Sequence, residues 1–456
     1  MELRYNFRLY PGPGPSRALA QVMGSARVVW NDAIAARQAA HRQGLPFPTT
    51  GDLSKLLITQ AKRTAERAWL SAVSAVPLQQ ALRDQDRAWR AFFRSLARPQ
   101  EGRVCPPGFR SRKSRRQSVR FTNNAGWKIT PGGRLSLPKV GEIPVRWSRA
   151  LPSAPTSVTI VKDAAGRYWA SFVITTDTAA ALDAAPTGGG AAEAGIDLGL
   201  TCFAVLSDGT RVSSPRFLRR AEKKLRRTQR QHSRKQKGSK NREKARIALA
   251  KQHARVADRR RDFHHKLSTK IISENQAVYV EDLAVAALVR GRASRSVHDA
   301  GWAAFLAMLE YKAKRDGRVF CRVDRWFPST KTCSRCRHVK AEVPLSTRVF
   351  ECEACGLLMD RDQNAAHNIL AEGRKVAAGQ RESAATPLGG VRRRETPDGA
   401  LVRPRPKVPA RRVEAGTHPK PDPTSVRKAG IVTASRGEDA KTARSSQQHT
   451  AAFFSH

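Results

Sequence analysis

The sequence is short of acid. Against 84 Lys and Arg it sets only 38 Asp and Glu, a formal charge of +46 over 456 residues. A chain that repels itself this strongly calls for a polyanionic partner, and nucleic acid is the default one. A membrane surface is the rival polyanion, but there is no long apolar run or amphipathic anchor to support it. The opening MELRYNFRLY carries charges where a secretory signal needs apolar residues, so a cytoplasmic, nucleoid-associated protein is expected. Cysteine is scarce too, seven in all, which argues against a disulfide scaffold. Cys105, Cys202 and Cys321 stand apart and read as ordinary reduced thiols.

The other four are grouped. Cys333 and Cys336 form one CxxC pair, Cys352 and Cys355 another, with 15 residues between the pairs. This is zinc-ribbon spacing: each pair supplies two thiolates from one tight knuckle, and the chain between can form a small ribbon. A structural Zn2+ is the expected cofactor. Seven residues after Cys355 comes Asp362, within DRDQNAAHNIL, so the ribbon leads directly into acidic residues and a helix.

Upstream, residues 1–10 alternate apolar and polar as a half-buried strand does. PGPGP ends it, and Ser16 is read as the cap of a helix over ARVVWNDAIAARQAAHRQ. Further helical segments are expected over LSKLLITQAKRTAERAWL and PLQQALRDQDRAWRAFFRSL, making residues 11–117 a helical region. Short strands with PGG and DAAG turns then point to a small antiparallel barrel over 118–176, which the first strand could join. Residues 177–193 have too little bulk to pack and read as a linker. AGIDLGLTCFAVLSD gives two strands, and AVYVEDLAV a third ending near Glu281. Between them, 216–274 forms a helical hairpin broken at KGSK. Over 216–270 it holds 22 Lys/Arg and four acids, too few for intrahelical pairing, so contact with phosphates is expected. Residues 373–456 read as a disordered basic tail.

Asp197, Glu281 and Asp362 each fall at a strand end or a strand-to-helix junction. Singly, each has a plain structural explanation: a turn former, a surface acid, a helix cap. Together they make a hard-oxygen site for two Mg2+ or Mn2+ ions, suited to in-line phosphodiester cleavage. Asp360 competes with Asp362 for the third position, and physics alone does not separate them.

GIDLGL, YVEDLAV, PSTKTCSRC…CEACG and DRDQNAAHNI resemble the RuvC-I, RuvC-II, zinc-ribbon and RuvC-III segments of the TnpB (OrfB) family, transposon-encoded RNA-guided DNA nucleases. The likeness extends upstream over RLYPGPGPSRALAQVMGSARVVWNDAI, which resembles the family's helix-turn-helix region, and PLQQALRDQDRAWRAFF. It implies a multidomain α+β and α/β fold: a β-barrel wedge domain with a helical insertion, then an RNase H-like (RuvC) nuclease over 194–325 and 360–372 with a zinc ribbon at 326–359. It also implies a guide RNA and target DNA as partners, with no membrane. The family's metal-binding acids fall on Asp197, Glu281 and Asp362, since its pattern of Asp before xNAA selects Asp362 over Asp360. Arg361 and Asn364 match positions that support the site, whereas His367 reads as a packed or surface residue. Arg337 departs from the family, where many relatives have glycine, and CPPGFRSRKSRR matches only loosely. A strand transferase and a silent nucleic-acid-binding regulator are the alternatives, and the intact acids disfavour the regulator.

Overall fold

The computed structural model describes residues 2–175, 192–344 and 346–385, with no side-chain account for Glu101 or beyond 379. Residues Met1–Gly389 form one compact unit. Nearly all of the expected linker, and the tail past 385, lie outside the described residues.

Strand β1 (Glu2–Leu9) buries Leu3, Phe7 and Leu9 and turns Arg4 and Asn6 outward. Helix α1 (Pro13–Arg42) follows, opening one residue after Gly12. Ser16 does not cap it: the Ser16 hydroxyl donates to the Pro11 carbonyl at 3.1 Å. The prolines in the first turn start the helix instead, where a missing N–H costs nothing. The helix expected over 53–70 is broken into α2 (Thr50–Ser54), a π turn (Lys55–Gln60) and 3₁₀ turns. Burying Leu53, Ile58, Leu70 and Val73 together does not suit one regular helical face, and Arg67 is drawn to Asp32 at 3.1 Å. Helix α3 (Ala75–Ala97) then packs against α1.

Six strands follow: β2 (Gln117–Thr122), β3 (Lys128–Ile129), β4 (Arg134–Leu137), β5 (Gly141–Arg146), β6 (Ser157–Lys162) and β7 (Tyr168–Thr175). With β1 they make an antiparallel sheet of order β2-β6-β7-β1-β5-β4-β3, so α1–α3 are an insertion between β1 and β2. The sheet curls into a half-barrel. The expected closed barrel is not formed, because edge strands β2 and β3 do not pair. A single core joins Leu19, Val22 and Leu82 of the helices to Phe7, Phe121, Ile160 and Phe172 of the sheet. The helices therefore cover the apolar face that closure would otherwise have to enclose.

The second sheet is built from β8 (Glu193–Asp197), β9 (Cys202–Leu206), β10 (Arg211–Ser213), β11 (Ala277–Glu281) and β12 (Val319–Val323), in the order β10-β9-β8-β11-β12. The first three form an antiparallel meander, while β11 and β12 run parallel to β8. Parallel neighbours need crossovers. The hairpin α4 (Phe217–Ser233) and α5 (Lys240–Glu274) supplies the first of these. The second comprises α6 (Val285–Leu288), α7 (Ser294–Ala300) and α8 (Trp302–Arg315). Val278 and Val280 face α5 and α8, in a core with Ile271, Phe305 and Leu309. Ala277 and Tyr279 alternate to the other face, against helix α9 (Arg361–Ala385). Strands β13 (Val349–Glu351) and β14 (Leu358–Asp360) form a two-stranded ribbon, and β14 runs straight into α9. That helix continues well past 372, where the tail was expected to begin. Gly373 lies where a Cβ would come within 2.3 Å of the Tyr279 ring, and Ala377 is buried. The small residues that read as tail thus let the helix lie on the sheet.

Candidate active site

Three elements bring acids to one end of the five-stranded sheet. Asp197 ends β8, Glu281 ends the parallel neighbour β11, and Asp362 lies in the first turn of α9. Helix α9 can approach β8 because residue 195 is glycine: a Cβ there would fall 2.2 Å from the Ala366 carbonyl oxygen and 2.6 Å from the Leu370 nitrogen. Burial, together with the charges of Asp362 and Glu281, pushes the Asp197 carboxyl up to about 7. Burial also raises Glu281, with Asp282 adding to the effect. Arg361 donates to Asp362 Oδ1 at 3.1 Å and tempers the charge at Asp197.

Asp360 is employed differently. Its Oδ1 accepts from the backbone amides of Asp362 at 3.1 Å and Gln363 at 3.0 Å, while Oδ2 pairs with Arg211 at 2.8 Å. It is the N-cap of α9. Burial works against its ionisation, but Arg211 and the two amides outweigh that and hold the carboxyl below its usual range.

The four cysteines meet as a candidate metal centre. Their sulfurs all lie within 4.8 Å of one another, with Cys333–Cys355 and Cys336–Cys352 separations of 3.6 Å. Tetrahedral zinc with bonds near 2.3 Å needs sulfurs about 3.8 Å apart, so the donor set fits. No comparable cluster of acids lies within 4.8 Å among the described residues. The acids interact through their charges without closing to the span of one ion, and a pair of ions about 4 Å apart allows that wider spread.

Asn364 is fully buried, but it serves the knuckle. Its Oδ1 accepts from Ser334 N at 2.9 Å and its Nδ2 donates to Thr332 O at 2.7 Å. Asn368, which sequence reading passed over, donates to Ser329 O at 2.9 Å and accepts from Arg337 at 3.0 Å. The first knuckle is thus bolted to the helix that carries Asp362.

The family models match in three places: "Probable transposase" over residues 174–292, "Cas12f1-like, TNB domain" over 302–369 and "Helix-turn-helix domain" over 1–45. A Streptomyces pristinaespiralis protein named "Putative RNA-guided DNA endonuclease" is 40% identical over 399 residues, 85% of this chain and 95% of its own. Another, "Putative RNA-guided DNA endonuclease InsQ" of Escherichia coli (strain K12), is 31% identical over 84% of this chain and 96% of its own. The chain belongs to the TnpB/OrfB family. A chain of the cryo-EM structure of the Cas12f1–sgRNA–target DNA complex aligns over 78% of this one and 82% of its own, with 15% identity and a TM-score of 0.46.

Arg337 adopts φ 68°, matched in the second knuckle by Gly356 at 69°, so both turns use the left-handed region that glycine enters without strain. The bond from Arg337 to Asn368 offsets that strain. The basic hairpin of this TnpB-family chain leans on the half-barrel, where Arg167 pairs with Asp258 and Arg246 donates to Ala164 O at 3.2 Å. Much of α4 faces solvent, with Arg219, Arg220, Lys223, Lys224, Arg227 and Arg230 none deeper than intermediate burial. Asp299 caps that helix by accepting from the amides of Leu218 and Arg219 at 2.8 and 3.2 Å. No helix among the described residues is long and apolar enough to cross a membrane.

Proposed function

We propose that this chain is an RNA-guided DNA endonuclease that hydrolyses phosphodiester bonds at Asp197, Glu281 and Asp362. The carrying observation is that three acids from separate segments come together at one end of the five-stranded sheet, where burial and then the charges of Asp362 and Glu281 push Asp197 up to about 7. An antiparallel meander extended by two parallel strands supports the RNase H-like (RuvC) reading of the domain. The donors are carboxylate oxygens, as Mg2+ and Mn2+ prefer, and a bound pair of such ions would supply water activation and leaving-group stabilisation.

The chain's own residues account for the rest. Asp197, Glu281 and Asp362 are the ligands. Arg361 steadies Asp362 and lies where it can meet a phosphate. Asp360 fixes the first turn of α9, and Cys333, Cys336, Cys352 and Cys355 hold a structural zinc. The basic hairpin and the half-barrel take the guide RNA and its heteroduplex by the backbone. Guide pairing reads the sequence while protein contacts read a short flanking motif.

The test is reconstitution. Protein loaded with the RNA that co-purifies with it, given matched duplex DNA, should cut in Mg2+ or Mn2+ and not in chelator. Cutting without RNA, or joining of ends in place of cutting, would contradict the reading.

A further inference from the structure

The loop between β12 and the first zinc knuckle carries the most exposed large apolar side chain among the described residues, Trp326, at 85% exposure. An indole left in water forgoes its burial free energy, so one presented on a defined backbone turn is informative. Asp324 builds the turn: its Oδ1 accepts from Trp326 N at 2.7 Å and its carbonyl from Phe327 N at 3.1 Å. Phe327 packs inward beside Ala277, Val323 and Ile369, which leaves the neighbouring indole pointing out. Among the described residues the indole has no ring contact or side-chain hydrogen bond of its own.

The turn also has an address. Val323, which ends β12, is in register with Glu281 on β11, and Asp282 N donates to Val323 O at 2.9 Å. Arg325 pairs with Asp282, the residue after Glu281, and Arg322 approaches the same carboxylate at 3.8 Å. Asp282 is therefore neutralised, while Asp324 commits an oxygen to the Trp326 amide and keeps its charge. Arg322 and Arg325 remain 41% and 45% exposed. Trp326 lies three residues past the β12 residue paired with Glu281, with Arg325 beside it in the chain. Arg322, which also pairs with Glu310 at 2.7 Å, is at the end of that strand. An exposed aromatic with guanidinium groups nearby has the composition of a single-strand platform.

We propose that Trp326 stacks on a base of the DNA strand being presented to the acids, and so positions the unpaired nucleotide beside the scissile phosphate. This rests on the nuclease reading above. DNA is favoured over guide RNA because the platform adjoins the acids, whereas the hairpin's basic residues are spread along a separate element. Stacking tolerates any base, so the residue would fix register and confer no sequence preference.

The experiment has two arms. In RNA-loaded protein, Trp326→Ala should lower the cleavage rate at saturating matched DNA by about tenfold, while Trp326→Phe stays within about twofold and RNA retention is unchanged. In the second arm, RNA-loaded Asp197→Asn protein is irradiated with matched DNA carrying 5-iodouracil at successive positions, and an adduct on Trp326 is expected at one or two adjacent positions. A Trp326→Ala rate equal to wild type would overturn the proposal. So would equal losses in Trp326→Phe, or adducts that form with iodinated guide RNA and never with DNA. Cutting by Asp197→Asn would instead sink the nuclease reading, and the crosslinking arm would still report on Trp326 by itself.

Discussion

Asp360 and Asp362 are one residue apart and carry the same group, yet their surroundings assign them different work. Asp360 spends its oxygens on two amides and Arg211, leaving Asp362 to face Asp197. Asp360→Ala should cost stability on the scale of a lost cap, roughly 1 kcal/mol, and keep measurable cleavage. Asp362→Ala should leave thermal stability nearly unchanged and abolish cleavage. Melting curves and a cleavage assay on both variants separate the two roles. Gly195 poses a sharper question, because its missing Cβ is what admits α9. Gly195→Ala should push α9 off β8, lowering the melting temperature and reducing cleavage more than tenfold even though no ligand has changed. Normal cleavage in that variant would show that the helix contact does not set the position of Asp362. Sequence pattern reveals the acids because each ends a recognisable strand or precedes a helix. It does not reveal why Gly195 or Asn368 matters, since both answer to partners far away in the chain.

At the scale of elements, the four-cysteine ribbon is a bracket for α9. Asn364 and Asn368 tie the first knuckle to the helix, and β14 feeds directly into it. In the variant Cys352→Ser with Cys355→Ser, zinc should fall from about one equivalent to none. Cleavage should vanish with it, while hairpin-mediated RNA binding survives. Elemental analysis and a filter-binding assay would check this, and full zinc content in the double variant would disprove the ligand set. The four thiols were legible because their spacing is local. The bracket was not, because it is made of buried amide bonds between segments.

The face of the sheet that meets α5 and α8 also carries a titration. His264 is buried among Phe203, Phe263 and Phe305, with Nε2 2.9 Å from the Ala300 carbonyl, and burial pushes it down to about 4. An unfolded imidazole titrates near 6.5, so between the two values only the unfolded chain takes the proton. The stability this neutral ring contributes is complete above about pH 6.5 and is lost as pH falls towards 4, roughly 2 kcal/mol by pH 5. Burial lowers His265 as well, with Lys312 adding to it, and this acts in the same direction. The raised carboxyls of Asp197 and Glu281 act in the opposite sense over the same range, so the difference between variants is the readout. From pH 7 to 5 the melting temperature of His264→Phe should rise relative to that of wild type.

For the whole molecule, charge and motif order pointed to a nucleic-acid enzyme, and the strand texture over 118–176 to a barrel, where the structure has an open curled sheet. Closure of the first sheet could not be foreseen, since it depends on whether β2 and β3 meet or helices cover the gap. The helical hairpin was visible from composition, and its role is testable by salt. Reversing several of its exposed charges should weaken RNA binding and reduce the slope of log affinity against log salt by about one unit per lost contact. An unchanged slope would make the arm a solvated surface.

The central claim is that three acids from three segments act as one hydrolytic site. Cleavage of matched DNA should be scored for RNA-loaded Asp197→Ala, Glu281→Ala and Asp362→Ala, with RNA binding measured on the same preparations. The account predicts that each single variant binds RNA as wild type does and fails to cut, and that a double variant is hardly worse than a single one. Undiminished cutting by Asp197→Ala would contradict it.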